Sequence, residues 1–524
     1  MLVLRIAHFS GRHDQGAGRE RAPSAGASLP TTQPRALVAF CVVLWCTACG
    51  ALYACSREPS GTAPAGKSLR WVDRAVIEDK VRGSWVGQMA GVAWGAPTEF
   101  RYAGRIIPDE DVPVWRPSSI NLAYIQDDLY VEIPFLEAYR DAGIGAGWEV
   151  MGQAFEHTRF PLWHANKAGR DNLASGIAPP DSGHWSRNPH CDDIDWQIEA
   201  DFAGTLCPGL VDQAIDIAWR VGHIMNHGDG VLGGVFVSAM HAAAFYEESL
   251  EGIVRAGRAA LPEGSLYRQV VDEVIRWRDE GIGWEEAWER LEATWASRDR
   301  CPDFRHGINR AKNIDAKLNG AYVLIGLLYG EGDFERTMRI AMRCGQDSDC
   351  NPSSAGGILG NWVGLSGIPD RFTSDLRSDI PFLFTDMTLD DAVAATLEIA
   401  RQALVLAGGA ILGEGTAREV WGIPIQGEIE PPILEQWPPA PAEAPPAFTA
   451  KIVKKDGARV ELEARPEDTT GGALTYEWYF GDLGRAKGAR VAHTYAAPGA
   501  YEILVCGSDA SGTSAWRRLG VSVP

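Results

Sequence analysis

Two pairs of aspartates hold the densest potential chemistry in this sequence: Asp127 and Asp128 in YIQDDLYVE, and Asp347 and Asp349 in CGQDSDCNPSSAGGILGNWVG, more than two hundred residues apart. Carboxylates this close repel one another unless a cation is shared, and oxygen ligands suit hard divalent ions. If folding brings the pairs together, they make a metal site. Asp127 and Asp128 stand where a helix would begin, so free backbone amides and the helix dipole favour their charge. Neighbouring helix residues diverge by about 100°, so the two side chains can serve adjacent ions or face one ion from either side. In DSDCNP the spacing of two suits a turn, with Asn351 as N-cap and Pro352 as first helical residue.

Further polar residues fall between the pairs. His227, Asp229 and Gly230 in NHGDG precede a glycine-rich helix, where backbone amides can meet a phosphate or sugar. The stretch AGRDNLASGIAPPDSGHWSRNPHCDDIDWQIEADF reads as a substrate loop over a cleft, and its Asp192, Asp193 and Asp195 form a third acidic group. These four, His227, Asp229, Gly230 and Asp193, are the candidate substrate contacts. Trp185 and Trp196 are aromatic enough to stack on a ring, although core packing is the commoner use of such residues.

The elements that must position these groups read as helices. Leu129, Ile133 and Leu136 follow three-to-four spacing, and similar patterns run through 211–244, 322–343 and 389–406. Gly83, Gly87, Gly91 and Gly95 recur every fourth residue, as do Gly356, Gly360 and Gly364, so each series lines one helix face. Glycine inside a helix costs up to ~1 kcal/mol relative to alanine, which close backbone approach can offset. With Arg82, Gln88 and Asn361 among them, the two series predict a packing seam at the centre of a soluble bundle. Residues 69–425 are therefore expected to form one large all-α domain.

Residues 426–447 hold too much proline for helix or inner strand and read as a semi-rigid linker. Beyond it the period changes to two: Val460, Leu462 and Ala464 alternate with charged residues, as do Tyr476, Trp478 and Phe480, with turn signals at TTGG, GDLG and APG. Residues 448–524 are expected to form a small all-β sandwich.

At 524 residues the chain exceeds one ordinary core. Its formal charge is −20, and the first 54 residues carry five arginines against Asp14 and Glu20, a surplus of three, which leaves about −23 on the rest. Such a surface repels phosphate backbones and argues against a nucleic-acid partner. The uncharged run 36–55 follows Arg35 and gives way to a polar linker at 56–68; it suits an export signal or a membrane helix. Leu52-Tyr53-Ala54-Cys55 resembles a bacterial lipoprotein cleavage box, which implies lipidation at Cys55 and a place in the cell envelope. Residues 1–34 are long and irregular for a signal's basic region, which suggests a later start of translation. Outside this segment Cys191, Cys207, Cys301, Cys344, Cys350 and Cys506 show no zinc-type pairing or disulfide framework.

The order RGSWVGQMAGVAWGAPTEF, QDD, NHGDGVLGG, GQDSDCNPSSAGGILGNWVG resembles the ADP-ribosylglycohydrolase family over about 76–370. That resemblance implies an all-α ADP-ribosylglycohydrolase-like fold, a pair of Mg²⁺ or Mn²⁺ ions, and hydrolysis of a ribosyl-type glycoside. Position by position, Asp127, Asp128, Asp347 and Asp349 match the family's metal aspartates. Glu99 matches the acidic residue closing the first motif and is the candidate acid/base, with Asp128 as a second catalytic carboxylate. Gln126 stands where threonine is usual and Cys350 where a hydroxyl ligand is usual; both enter the candidate metal set, and the soft thiol predicts that one of the two sites binds weakly. WYFGD followed by HTYAAPGAYEILV resembles the PKD domain, an Ig-like module of exported proteins, which implies a surface or glycan contact. The function expected is an exported, metal-dependent glycohydrolase acting on a small or protein-linked glycoside. The other reading is a non-catalytic surface protein that binds a glycan or nucleotide, favoured by Gln126 and Cys350.

Overall fold

The first strand among the described residues, β1 (Leu69–Asp73), runs directly into the glycine-bearing helix α1 (Arg74–Gly95). In the computed structural model, residues 68–296, 314–435, 447–467, 473–480, 485–495, 498–508 and 514–524 are described; the run 36–55 with Cys55, the segment 56–67 and residues 436–446 lie outside them. After α1 come α2 (Asp127–Tyr130), α3 (Glu132–Ala142), α4 (Trp148–Glu156), α5 (His164–Ala174), α6 (Asp195–Ile198) and α7 (Asp201–Thr205). Next are α8 (Val211–Gly222), α9 (Asp229–Ala244), α10 (Leu250–Ala259), α11 (Leu266–Asp279) and α12 (Trp284–Trp295). The last helices are α13 (Ala316–Gly330), α14 (Phe334–Arg343), α15 (Cys350–Val363) and α16 (Leu389–Leu406).

The two glycine series form one seam between α1 and α15. A methyl group on Gly87 would enter the Gly356 carbonyl, one on Gly83 the Gly360 carbonyl, and one on Gly356 would come within 2.6 Å of the Gly87 carbonyl oxygen. Backbone therefore lies on backbone, which only glycine permits. The pairing of Gly83 with Gly360 and of Gly95 with Ser348 makes the helices antiparallel. The end of α1 consequently meets the start of α15, and that geometry places the chemistry. From Gly83 to Gly95 every residue of α1 is buried. Every residue of α9 is buried as well, and nearly all of α13, as expected of central helices that are apolar on all sides. Lys80 on α1 donates to Ala244 O (2.9 Å) at the end of α9 and to Trp362 O (2.7 Å) near the end of α15, satisfying carbonyls that a helix C-terminus leaves unpaired.

Three local differences from the sequence reading have plain causes. The pattern 211–244 is two helices, broken at 223–228 where Gly228 has φ +58°, and 322–343 breaks at Glu331 and Gly332, both with positive φ. Helix α15 begins at Cys350 with Asp349 as N-cap, so Asn351 and Pro352 sit inside its first turn, where proline lacks only an amide hydrogen that would be unbonded anyway. The helical region also contains a three-stranded antiparallel sheet, β1–β3–β2, in which β3 (Val420–Pro424) pairs with β1 and with β2 (Ala410–Leu412). Strands of three to five residues are too short for a period of two to stand out.

The later region is built as its alternation predicts. β4 (Phe448–Asp456), β5 (Arg459–Pro466) and β8 (Arg490–Thr494) make one antiparallel sheet; β6 (Thr475–Tyr479), β7 (Arg485–Lys487), β9 (Gly499–Ser508) and β10 (Ser514–Val523) make the other. Val460, Leu462 and Ala464 from the first sheet share a core with Trp478, Ile503 and Val505 from the second. Among the described residues no helix is long and apolar enough to cross a membrane.

Candidate active site and metal centre

Because α1 and α15 run antiparallel, the 3-10 turn Ala96–Thr98 and Glu99 emerge beside the loop that leads into α15. Thr98 Oγ1 meets Ser348 Oγ at 2.8 Å, and Phe100 N donates to Gln346 O at 2.9 Å. Phe100 (φ +52°) and Gln346 (φ +53°) both occupy the left-handed region, which costs of order 1 kcal/mol or more for a residue with a side chain. Gln346 is held there by its amide, which donates to Tyr322 OH (3.0 Å) and Glu292 (3.3 Å) and accepts from Asn319 (3.4 Å).

The structure brings the two aspartate pairs together. Cys350 Sγ donates to Asp128 Oδ2 at 3.3 Å and lies 3.9 Å from Asp349 Oδ1. Asp347, Asp349 and Cys350 present ligand atoms within 4.8 Å of one another. Asp128, Asp347 and Asp349 are buried; Asp127, at the first position of α2, is partly exposed, and Gln126 is its half-buried N-cap. Glu99 is exposed at the rim, close enough for its charge to act on Asp347.

Electrostatics show what such a site lacks. Burial pushes Asp127 above the usual carboxylate range, Asp128 and Asp347 well above it, and Asp349 up to about 7. The next contributions are other carboxylates: Asp127 on Asp128, Asp349 and then Glu99 on Asp347, and Asp128 on Asp349. The Cys350 thiol is raised by burial and by the same aspartates, so it keeps its proton and acts as a donor. Among the described residues no donor in hydrogen-bonding geometry reaches the buried Asp128 Oδ1. A pocket that gathers this many carboxyl oxygens, where among the described residues burial and mutual repulsion lead and His164 is a small lowering influence on Asp127 alone of the four, fits a divalent cation, which would restore their ordinary ionisation. These residues therefore fit a metal ion.

The other sequence candidates have different partners. His227 Nδ1 is 3.1 Å from Glu435 Oε1, and its backbone amide donates to Cys191 O at 2.8 Å. Asp229 is buried at the start of α9, and its Oδ1 accepts from Tyr267 N at 3.4 Å. Gly230 packs directly on the loop of Cys191 and Asp192, whose backbone a side chain would strike. Asp193 is buried between two histidines, with its carboxyl pushed up to about 7 by burial, and Asp195 is raised likewise. Trp196 is core, while Trp185 is half-buried against His184.

Several polar residues around the site were not singled out from the sequence. His164 lies close enough to Asp127 for its charge to act there. Glu132 and Glu199 are fully buried, and each feels Asp128; Asn166 donates to Glu199. His241 Nε2 pairs with Asp201 Oδ1 at 2.8 Å. Nothing in their spacing signals these roles, because each partner is distant in sequence or belongs to an ordinary helical pattern.

Residues 73–405 match the family model for ADP-ribosylglycohydrolase, and residues 442–523 match that for the PKD domain. The chain therefore belongs to the ADP-ribosylglycohydrolase family, and it carries a PKD domain beyond the helical region. A solved structure described as an ADP-ribosylglycohydrolase-related protein complex is 16% identical, covers 63% of this chain and 99% of its own, and has a TM-score of 0.40. The PKD1 domain of the Vibrio cholerae metalloprotease PrtV is 22% identical over 15% of this chain and 98% of its own, with a TM-score of 0.15. The PKD1 domain of Vibrio anguillarum Epp is 26% identical over 16% of this chain and all of its own, with a TM-score of 0.13. No curated protein matches the chain. Family membership supports a glycohydrolase-type activity.

Proposed function

We propose that the protein is an exported, metal-dependent glycohydrolase that cleaves an ADP-ribosyl or related ribosyl-like N- or O-glycosidic bond. The observation that carries this reading is the meeting of Asp128, Asp347, Asp349 and Cys350 at one end of the glycine seam, with Glu99 on the rim above Asp347. Asp127, Asp128, Asp347 and Asp349 would hold Mg²⁺ or Mn²⁺, with Gln126 and Cys350 at the margins of the set. When bound, such ions can hold the vicinal hydroxyls of a ribose-like ring and orient its anomeric carbon.

The remaining work falls to the chain's own groups. Glu99, exposed to the solvent, exchanges a proton with the leaving group or with the attacking water. Asp128 is buried with the Cys350 thiol bonded to one oxygen, so its other oxygen is directed by a fixed contact. His227, Asp229, Gly230 and Asp193 are the proposed substrate contacts, and Asp193 is linked to Asp127 through His164. The substrate is a small or protein-linked glycoside, not a nucleic acid.

The test is hydrolysis of ADP-ribosyl-arginine, ADP-ribosyl-serine and simple glycosides with Mg²⁺ or Mn²⁺. Turnover is expected for at least one, with kcat lowered about 10²- to 10⁴-fold in Glu99→Gln and divalent binding lost when Asp347 and Asp349 are both replaced by alanine. No turnover across the panel would leave the non-catalytic binding reading, which the thiol at Cys350 favours.

Export rests on the PKD domain and on the 36–55 run. In this reading residues 1–55 form the export and anchor region, 56–68 a linker, 69–425 the catalytic domain, 426–447 a second linker, and 448–524 a sandwich that contacts a surface or glycan. Labelled fatty acid should enter the wild type at the cell envelope and be absent from Cys55→Ser; equal labelling of both would remove the lipid anchor.

A further inference from the structure

Beside the aspartate site, two histidines and a carboxylate converge from two segments. His164 opens helix α5, and His190 and Asp193 lie three apart in the following loop. His164 Nδ1 is 3.3 Å and His190 Nδ1 3.5 Å from the same oxygen, Asp193 Oδ2, and one ligand atom from each residue lies within 4.8 Å of the others. The imidazole rings stand nearly perpendicular, 87° apart with centroids at 5.2 Å, so they are not stacked on each other.

Both contacts are ion pairs at the long end of the range. A charge-assisted N–H···O bond spans about 2.7–2.9 Å. Ligands about 2.0–2.1 Å from a tetrahedral metal are separated by about 3.3–3.4 Å along the edge. The two distances to Asp193 Oδ2 are close to that edge, and the hydrogen bond that His190 makes to Asp193 holds the same approach when no ion is bound.

The arrangement is held firmly before any ligand arrives. His164 has φ +43°, a conformation that costs of order 1–3 kcal/mol unless its surroundings enforce it. They do: Asn166 N donates to Asp195 Oδ2 (3.0 Å), and Asn188 Nδ2 donates to Ala165 O (3.0 Å). The turn carrying the other two is closed by Asp193 N to His190 O (2.9 Å) and by His190 N to Asn188 Oδ1 (2.9 Å). Asn226 Nδ2 ties Asp193 O (2.8 Å), and Ile194 N bonds Ile314 O (3.0 Å). Strain at one ligand, stiff support at all three, and convergence on one oxygen are the features of a preorganised binding site.

We propose that His164, His190 and Asp193 form a separate transition-metal site, which takes one ion of the Zn²⁺ class through two imidazole nitrogens and one carboxylate oxygen. Two imidazoles and a carboxylate suit a borderline ion, whereas the neighbouring aspartates suit a hard one, so the two sites sort metals by ligand type. Asp193 and His190 are buried, while the His164 side chain keeps 24% of its surface exposed. Three protein ligands with one side open to solvent describe a site with an exchangeable position, not a closed structural zinc. Solvent or a substrate oxygen would reach a bound ion from the side of His164, whose charge also acts on Asp127. It stands whether or not the aspartate site hydrolyses a glycoside.

The test uses the full chain, stripped with chelator and then saturated with Mg²⁺, and follows Co²⁺ by visible absorption. One equivalent should give the intense bands of four- or five-coordinate Co²⁺ with nitrogen ligands, displaced by one equivalent of Zn²⁺ and unaffected by further Mg²⁺. Both His164→Gln and His190→Gln should lose the bands; His164→Gln, at the more exposed ligand, decides the matter if the buried change disturbs folding by circular dichroism. Absence of the bands in the wild type, or bands and Zn²⁺ stoichiometry unchanged in His164→Gln, would overturn the proposal.

Discussion

Cys350 concentrates the question of how this site differs from an all-oxygen one. Its thiol sits at the first position of α15, buried, protonated and bonded to Asp128. A hydroxyl there would offer a hard oxygen instead of a soft sulfur. Cys350→Ser is expected to tighten Mg²⁺ by about tenfold, equivalent to about 1.4 kcal/mol, in a calorimetric titration of metal-stripped protein; unchanged affinity would mean the side chain at 350 does not face the ion. A carboxylate pair at a helix start is by itself more often just favourable capping; the aspartates themselves were legible in the sequence because the two pairs fall in the order of a known family's motifs. The direction of the Cys350 proton was not, since it depends on Asp128, 222 positions away.

The element that assembles the site is the contact between α1 and α15. Its glycines were legible as two four-residue repeats, and the structure interleaves them backbone to backbone. Because a carbonyl on a packed helix cannot move aside as a side chain can, Gly87→Ala should cost about 3 kcal/mol or more. Gly145→Ala, where a methyl meets nothing within 4 Å, is the matched control. Urea unfolding compares the two, and equal midpoints would show that the seam tolerates a wider spacing. Turnover should fall along with stability in Gly87→Ala, since separation of the helices draws the proposed acid/base Glu99 away from Asp347. The short sheet β1–β3–β2 was not legible: it joins residues near 70 to residues near 420, and each strand has too few positions to show a period.

At the scale of the molecule, the proline-rich connection is partly docked. Glu435 accepts from the Gly228 amide at 2.5 Å, meets His223 Nε2 at 2.8 Å and His227 Nδ1 at 3.1 Å, and lies within electrostatic reach of His184. Burial raises its carboxyl, but the hydrogen bonds and charges of His223 and His227 outweigh burial and hold it well below the ordinary glutamate value of 4.5. A carboxylate whose docked value is depressed binds fewer protons docked than released, so its contribution is complete above that ordinary value and is lost as pH falls below it. Hydrogen exchange of residues 427–435 should therefore quicken on acidification. In Glu435→Gln it should already be fast at neutral pH and lose that dependence; an unchanged exchange profile would show that the other contacts of the segment hold it alone.

Local information was enough to place the aspartate pairs, the glycine faces, the helical character of the large region and the alternating strands of the PKD domain. Each of these is written in spacing along the chain, where a period of 3.6 or 2 decides which side chains share a face. Tertiary structure alone decided which faces meet. It put Glu99 over Asp347, turned the Cys350 thiol toward Asp128, carried Glu435 to His223 and His227, and closed His164 and His190 on Asp193. Apart from the turn of His190 and Asp193, these pairs join positions far apart in the chain. Their chemistry follows from the antiparallel seam and the loops packed around it, which no periodicity records.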